Sequence, residues 1–249
     1  MKTRRKSPVN LIITETHHCS TDLRLKILHR LPFFTGLPHN AMETINSRFV
    51  EVGYQPGDIV YMAGEPADRL FVVAEGKIKL LQHGANGRNV LLDILSTGEF
   101  FGNLAALGIA VYPDTAQAQA PACVLRIRSD DFRQVLDEHP KLALKTLQVM
   151  AERLNAANRR VLQISSMPVE KRIAFTLLEL GRKLGRPKEN MLLIDVPLSR
   201  DDLAEMTGTT PETASRVMSQ LQNSRVIESG RQWVGITDLK PLEDMAGEE

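Results

Sequence analysis

Only two cysteines occur in 249 residues, Cys19 and Cys123, and neither sits in a paired motif. That excludes a disulfide scaffold and points to a reducing compartment. No apolar run approaches the roughly 20 residues a membrane helix needs. The N-terminal MKTRRKSPVNLIITETHH is basic and then only briefly apolar, short of the long apolar stretch of a secretory signal. A cytoplasmic protein with no membrane partner is expected. Excess charge is also missing: 31 Lys and Arg face 30 Asp and Glu, for a formal charge of +1. A uniformly basic nucleic-acid binder is thereby excluded, although a locally basic face is not. Catalytic groupings are absent too. There is no clustered His and Glu, no nucleophile beside a base and no glycine loop built to cradle phosphate. A cupin-like metalloenzyme would need several inward ligands, and the β-rich region offers only His83. The chain is expected not to be an enzyme.

What is present changes character along the chain. Residues 1–20 form a basic tail, and 21–34 an amphipathic helix. Asn40 to Phe49 predicts another, with Met42, Ile45 and Phe49 on one side. From Val50 to about Arg128, short β-type runs (FVEVGY, DIVYMAG, LFVVAEG, KIKLLQHG, RNVLLDIL, TAQAQA, CVLRIRS) alternate with Gly and Pro turns. Such spacing predicts an antiparallel sandwich or roll. SDDFRQVLDEHP reads as a helix, and Lys141 to Ile164 as a long unbroken one. Along the latter, Leu147, Met150, Leu154, Ala157, Val161 and Ile164 follow a 3-4-3-4-3 spacing. That seam suits packing on its own domain or a dimer coiled coil, and its regularity and length favour the dimer.

Ser165, Ser166 and Pro168 then mark a break. A helix to Leu184 follows, with Ile173, Leu177, Leu180 and Leu184 on one face. MLLIDVPL is a strand, and VIESGRQWVGITD a hairpin turning at Ser229-Gly230. The terminal DLKPLEDMAGEE is polar and expected to fray. The expected division is a tail (1–20), an α+β domain with an antiparallel β-roll (21–140), a dimerisation helix (141–165) and a C-terminal domain (166–249).

Between strand and hairpin lies SRDDLAEMTGTTPETASRVMSQLQN, two short helices joined by a turn. Ser199 caps the first, with Asp202 at capping-box spacing, and Leu203, Ala204 and Met206 give it an apolar side. Gly208 ends it. Thr210 caps the second, with Pro211 at its first position. Ala214, Val217, Met218 and Leu221 share an inward face, while Glu212, Ser215, Arg216 and Ser219 fall opposite. A helix-turn-helix presents such polar side chains to base edges in the major groove, and the hairpin behind it would be a wing.

A β-roll, a long helix and a winged helix-turn-helix in this order resemble the CRP/FNR superfamily of bacterial transcription regulators. The resemblance covers about Thr21 to Leu239. YQPGDIVYMAGEPADRLFVVAEGKIKLL is similar to the opening of its cyclic-nucleotide-binding-like roll, a double-stranded β-helix. STGEFFGNLAAL is similar to its effector-pocket segment, and LSRDDLAEMTGTTPETASRVMSQLQ to its DNA-binding motif. The resemblance implies a homodimer on a palindromic operator in double-stranded DNA. It implies that Glu212, Ser215 and Arg216 match the residues the FNR branch uses on a TTGAT half-site, with Thr210, Thr213, Ser199 and Arg200 flanking them. The chemistry is independently sensible: a carboxylate accepts from cytosine, a guanidinium donates to guanine, and the pair shares a helix face. RNA polymerase is the further partner implied, since a loop such as Gln82–Asn89 resembles the place where relatives touch it.

The input end is described mainly by departures. The pocket implied by the resemblance includes Gly102, Asn103, Leu104, Asp114 and Thr115. The cyclic-AMP branch has a Glu after the glycine, where Asn103 stands here, and an Arg where Asp114 stands. An Asp repels a cyclic phosphate, so cyclic AMP is not expected. The FNR-branch cluster takes four cysteines; with two present, and Leu125 at the internal Cys position, an iron–sulfur cluster is not expected either. Cys123 reads as a small buried hydrophobe. VYPDTAQAQA and PETASR are similar to the nitrogen-oxide and denitrification regulators, some of which bind haem. His17, His18, Cys19, His29 and His83 are the candidate ligands. A dimer that binds DNA constitutively, with a purely structural roll, is the alternative.

Overall fold

The computed structural model describes residues 21–84, 87, 89–102, 108 and 110–247. Their contacts form two units. One holds 21–83 with 92–157, the other 158–247 with the segment 84–91.

The first unit opens with α1 (Thr21–Arg30), a 3-10 turn (Pro32–Phe34) and α2 (His39–Ser47). Eight strands follow: β1 (Val50–Tyr54), β2 (Ile59–Tyr61), β3 (Arg69–Glu75), β4 (Ile78–His83), β5 (Asn89–Leu95), β6 (Phe100–Gly102), β7 (Thr115–Ala118) and β8 (Ala122–Arg128). They form two four-stranded sheets, ordered β1-β8-β3-β6 and β2-β7-β4-β5, and every described pairing in them is antiparallel. The expected roll is therefore present. Its strands are short because Gly and Pro punctuate them, and β6 was not among the runs the sequence predicts: at three residues it is too short to show a period.

Alternation along β3 explains the two cores. Leu70, Val72 and Ala74 point to one side and Phe71 and Val73 to the other. The first side meets Leu125 and Ile127 of β8, together with Ile27, Leu28, Phe33, Phe34, Met42, Ile45 and Phe49 from the N-terminal helices. It also meets Phe132 and Val135 of α3 (Ser129–Glu138) and Leu142 and Val149 of α4 (Pro140–Ser166). Each such fully buried aliphatic or Phe side chain contributes about 1.5–3 kcal/mol relative to exposure. The other side meets Tyr61, Phe101, Tyr112, Val124 and the alanines 116, 118 and 122, inside the roll. Cys123 is half-buried and packs against the first core, as expected of a small apolar residue.

The long helix buries Leu142, Thr146 and Val149. Its seam is largely open in the protomer: Leu147, Leu154, Val161 and Ile164 are 48–63% exposed.

The second unit contains α5 (Val169–Leu184), β9 (Gly185–Lys188), β10 (Met191–Ile194), α6 (Arg200–Thr207), α7 (Pro211–Asn223), β11 (Ile227–Gly230), β12 (Trp233–Ile236) and α8 (Lys240–Ala246). Its sheet is ordered β11-β12-β10-β9. Three details differ from expectation. GRPK after α5 is a strand, paired with β10 from Gly185↔Ile194 to Lys188↔Met191. The wing turns at Arg231-Gln232, because Gly230 pairs with Trp233 and Gln232 adopts a φ of 61°. The C-terminal segment does not fray. Leu242 and Ala246 are buried, and they fix α8 in the fold despite its polar composition.

Candidate nucleic-acid interface and roll interior

The helix-turn-helix is shaped by its caps. Ser199 Oγ accepts from the Asp202 amide at 3.0 Å, and the Asp202 carboxylate accepts from the Ser199 amide at 2.9 Å. This reciprocal box satisfies two otherwise orphaned donors. Gly208 closes α6 in the left-handed region, at φ 61°. Thr210 accepts from the Thr213 amide at 3.3 Å, and Pro211 begins α7. The turn between the helices is thus only residues 208–210. Leu203 and Ala204 are buried as predicted. Thr207 joins them rather than Met206, its hydroxyl satisfied by the Leu203 carbonyl at 2.7 Å.

On α7, Ala214, Val217, Met218 and Leu221 are all buried. Glu212, Arg216 and Ser219 are exposed, and Ser215 and Thr213 half-exposed. Ser219 donates back to the Ser215 carbonyl at 2.8 Å. The Arg216 guanidinium stands 3.9 Å from Glu170 near the start of α5. Arg200 points elsewhere. Its guanidinium donates to Ser229 Oγ of the wing at 2.8 Å, and Ser229 in turn donates to Gln222 of α7 at 3.2 Å. Burial lowers the Arg200 pKa. Arg200 therefore ties α6 to the wing and to the end of α7. The residue type signals a charge, whereas this role depends on the hairpin folding back.

Inside the roll, Gly102 and Asp114 both meet one residue that the sequence did not single out, Tyr61. The Tyr61 hydroxyl donates to Asp114 Oδ1 at 2.8 Å and also meets the Gly102 backbone. Burial, then the Asp114 charge, raise the Tyr61 pKa far above its ordinary value. Its ring stacks on Tyr112 at 3.9 Å, and Phe71 and Phe101 complete the group. Burial likewise pushes the Tyr112 phenol up to about 12, while its hydroxyl donates to the Arg69 carbonyl at 3.1 Å. Thr115 is buried, with its hydroxyl accepting the Ala63 amide at 3.0 Å. Asn103 and Leu104 lie outside the described residues.

A second unforeseen member is Arg153. Its place on the charged side of α4 suggests a solvated residue. The residue is exposed as a whole, yet its guanidinium lies 3.7 Å over the Phe100 ring, on the helix-facing side of the roll, and donates to the Phe100 carbonyl at 2.5 Å. Desolvation lowers its pKa, opposed by Glu99, Asp93, Tyr61 and Asp114. Burial raises the Asp114 pKa, opposed by the Tyr61 hydrogen bond and by Arg153.

The haem candidates fit poorly where they are described. His29 lies beside His39, the ring planes 3° from parallel and the centroids 6.4 Å apart. His83 is exposed at the end of β4, whereas a porphyrin needs an enclosing apolar slot. His17, His18 and Cys19 lie outside the described residues. Among the described residues no group of three His, Cys, Asp or Glu could hold a metal ion, and no helix is long and apolar enough to cross a membrane.

Comparison with known proteins agrees with this division of labour. The cyclic nucleotide-binding domain family matches residues 51–139, and the Crp-like helix-turn-helix domain family matches residues 171–245. A Lacticaseibacillus casei protein named "Probable transcriptional regulator flp" is 30% identical over 219 residues, covering 87% of this chain and 96% of that one. The CRP-like cAMP-activated global transcriptional regulator of Mycobacterium tuberculosis is 25% identical over 217 residues, covering 87% and 97%. The crystal structure of a CRP/FNR-family transcriptional regulator from Thermus thermophilus superposes with a TM-score of 0.65 at 26% identity, covering 80% and 98%.

Proposed function

The chain belongs to the CRP/FNR family of transcription regulators and is a DNA-binding protein of that type, and from this we propose that it acts as a homodimer reading a TTGAT-type palindrome. The observation that carries the proposal is α7: Glu212 and Arg216 exposed one turn apart on a helix whose opposite face is buried. In the groove, Arg216 donates to guanine, Glu212 accepts from cytosine, and Ser215 reaches a neighbouring base or phosphate. Thr210, Thr213 and Ser199 lie beside the same helix starts, where backbone phosphate is favoured. Arg200 acts through the wing. The protomers meet along Leu147, Met150, Leu154, Ala157, Val161 and Ile164, which places residues 141–165 as a dimerisation helix between a sensing domain (21–140) and a DNA-binding domain (166–249). Activation through RNA polymerase at a suitably placed operator completes the reading. Of the Gln82–Asn89 loop proposed for that contact, residues 85, 86 and 88 lie outside the described ones.

The recognition-helix sequence, similar to that of the FNR and denitrification-regulator branch, supports a nitrogen-oxide or redox signal as the class to test first. Asp114, backed by Asp93 and Glu99 around Arg153, disfavours a cyclic phosphate in the roll. That the M. tuberculosis relative is named cAMP-activated does not carry over.

The experiment is fluorescence anisotropy with a duplex bearing two inverted TTGAT half-sites one helical turn, about 34 Å, apart. The protein should bind it well above a scrambled duplex, with and without cyclic AMP. Arg216→Ala should cost about 1–3 kcal/mol and relax preference at one base pair per half-site. Equal binding to the scrambled duplex, or unchanged discrimination in the variant, overturns the proposal.

A further inference from the structure

We propose that Arg153 is the positioning residue that ties β6 of the roll to α4, holding the helix through the Phe100 carbonyl and ring. The inference rests on the reading of α4 as the dimer helix. Phe100 holds this one guanidinium directly, and four further residues of the roll act on it through charge. Phe100 of β6 supplies a carbonyl at 2.5 Å and a ring face at 3.7 Å. Glu99 comes from the turn before β6, Asp93 from β5, Tyr61 from β2, and Asp114 from the residue preceding β7. A flat, delocalised cation suits this setting, since it stacks and donates at once.

The arrangement has a mechanical consequence. Leu154, the next residue, stands 63% exposed on the seam, so Arg153 and the seam share a single turn of helix. Tyr61 binds Asp114 on one side and meets Gly102 on the other. Gly102 ends the three-residue strand that Phe100 begins. A shift of Asp114, Tyr61 or β6 therefore changes the grip on Arg153 directly. Close packing makes such a change discrete rather than gradual: a Cβ at Gly102 would already lie 2.8 Å from Phe71. Arg153 is thus the place where an event in the roll reaches the dimer seam. It needs no contact with an effector to do so.

The first test does not involve DNA. Hydrogen exchange of the α4 amides is measured in the wild type, Asp114→Asn, Arg153→Gln and the double variant. Asp114→Asn should change protection of the 150–157 amides at least threefold when Arg153 is present, and leave it unchanged in the Arg153→Gln background. The same change in both backgrounds, or none in either, overturns the inference. A second measurement ties the residue to output. Arg153→Gln should lower affinity for the TTGAT duplex at least tenfold while the thermal midpoint and the dimer dissociation constant stay near wild type. Undiminished affinity overturns the inference. Failure of the wild type itself to prefer that duplex counts against the operator reading, and the exchange experiment then decides the role of Arg153 alone.

Discussion

Arg216, on the exposed face of the recognition helix, lies 3.9 Å from Glu170 at the start of α5, and both side chains are about half exposed. The carboxylate competes with a guanine for the same guanidinium. Exposed pairs of this kind contribute only about 0–1 kcal/mol, so the competition is mild. Glu170→Gln should therefore raise operator affinity, by up to about fivefold, through releasing Arg216. Glu179→Gln serves as the control for charge alone, because that carboxylate pairs with Arg182 on the same helix at 3.3 Å. Equal gains in the two variants would show that net charge, and not the Arg216 contact, is responsible.

The output half was legible because its signals are local. Caps, a helix-breaking glycine, a proline at the first position and a 3.6-residue period all act within one or two turns, so Ser199, Gly208, Thr210 and the buried face of α7 were readable. What escaped depends on residues distant in sequence. GRPK has the composition of a loop and becomes a strand only because β10 lies beside it. The C-terminal segment is polar overall and helical because Leu242 finds a buried site. Arg153 and Tyr61 were missed for the same reason. One belongs to a charged helix face and the other to a short strand, and only the folded roll brings them to Asp114.

The seam on α4 can be tested with two substitutions that should part company. Leu154 is 63% exposed in the protomer, so Leu154→Glu leaves the protomer core intact and places two carboxylates face to face in the proposed dimer. Sedimentation equilibrium should show monomers that no longer retain operator DNA. Val149 is only 9% exposed and packs into the roll's helical core. Val149→Ala should lower the thermal midpoint by way of a lost core contact and remain dimeric. A Leu154→Glu protein that sediments as a dimer would remove the seam from the interface.

Gly102 and Gly98 separate backbone strain from crowding. Both have φ near 85°, where an added Cβ costs about 1–2 kcal/mol. At Gly98 that Cβ meets nothing within 4 Å, while at Gly102 it lies 2.8 Å from Phe71 and 3.1 Å from the Arg69 carbonyl. Gly102→Ala should be the more destabilising by about 1–3 kcal/mol, the usual range for an overpacked site. Urea midpoints at constant m measure the difference, and equal losses would show that Phe71 gives way freely.

Asp114 should leave a pH signature of definite sign. Burial raises its pKa in the folded protein above the unfolded value of about 3.9, against the opposing pulls of Tyr61 and Arg153. The folded state thus binds this proton more tightly than the unfolded chain does. The resulting stabilisation is complete below the unfolded pKa and is lost as pH rises through the folded one. At neutral pH the ionised carboxylate is a net cost, accepted beside Tyr61 and Arg153. Asp114→Asn keeps an oxygen to accept from Tyr61 and removes the ionisation. The variant should be more stable than the wild type at pH 7. Its advantage should shrink as pH falls through the folded pKa towards about 4, where the wild-type carboxyl is protonated as well. Denaturation midpoints of both proteins across that window give the answer. A stability difference that does not change with pH would mean that Asp114 does not titrate there on folding.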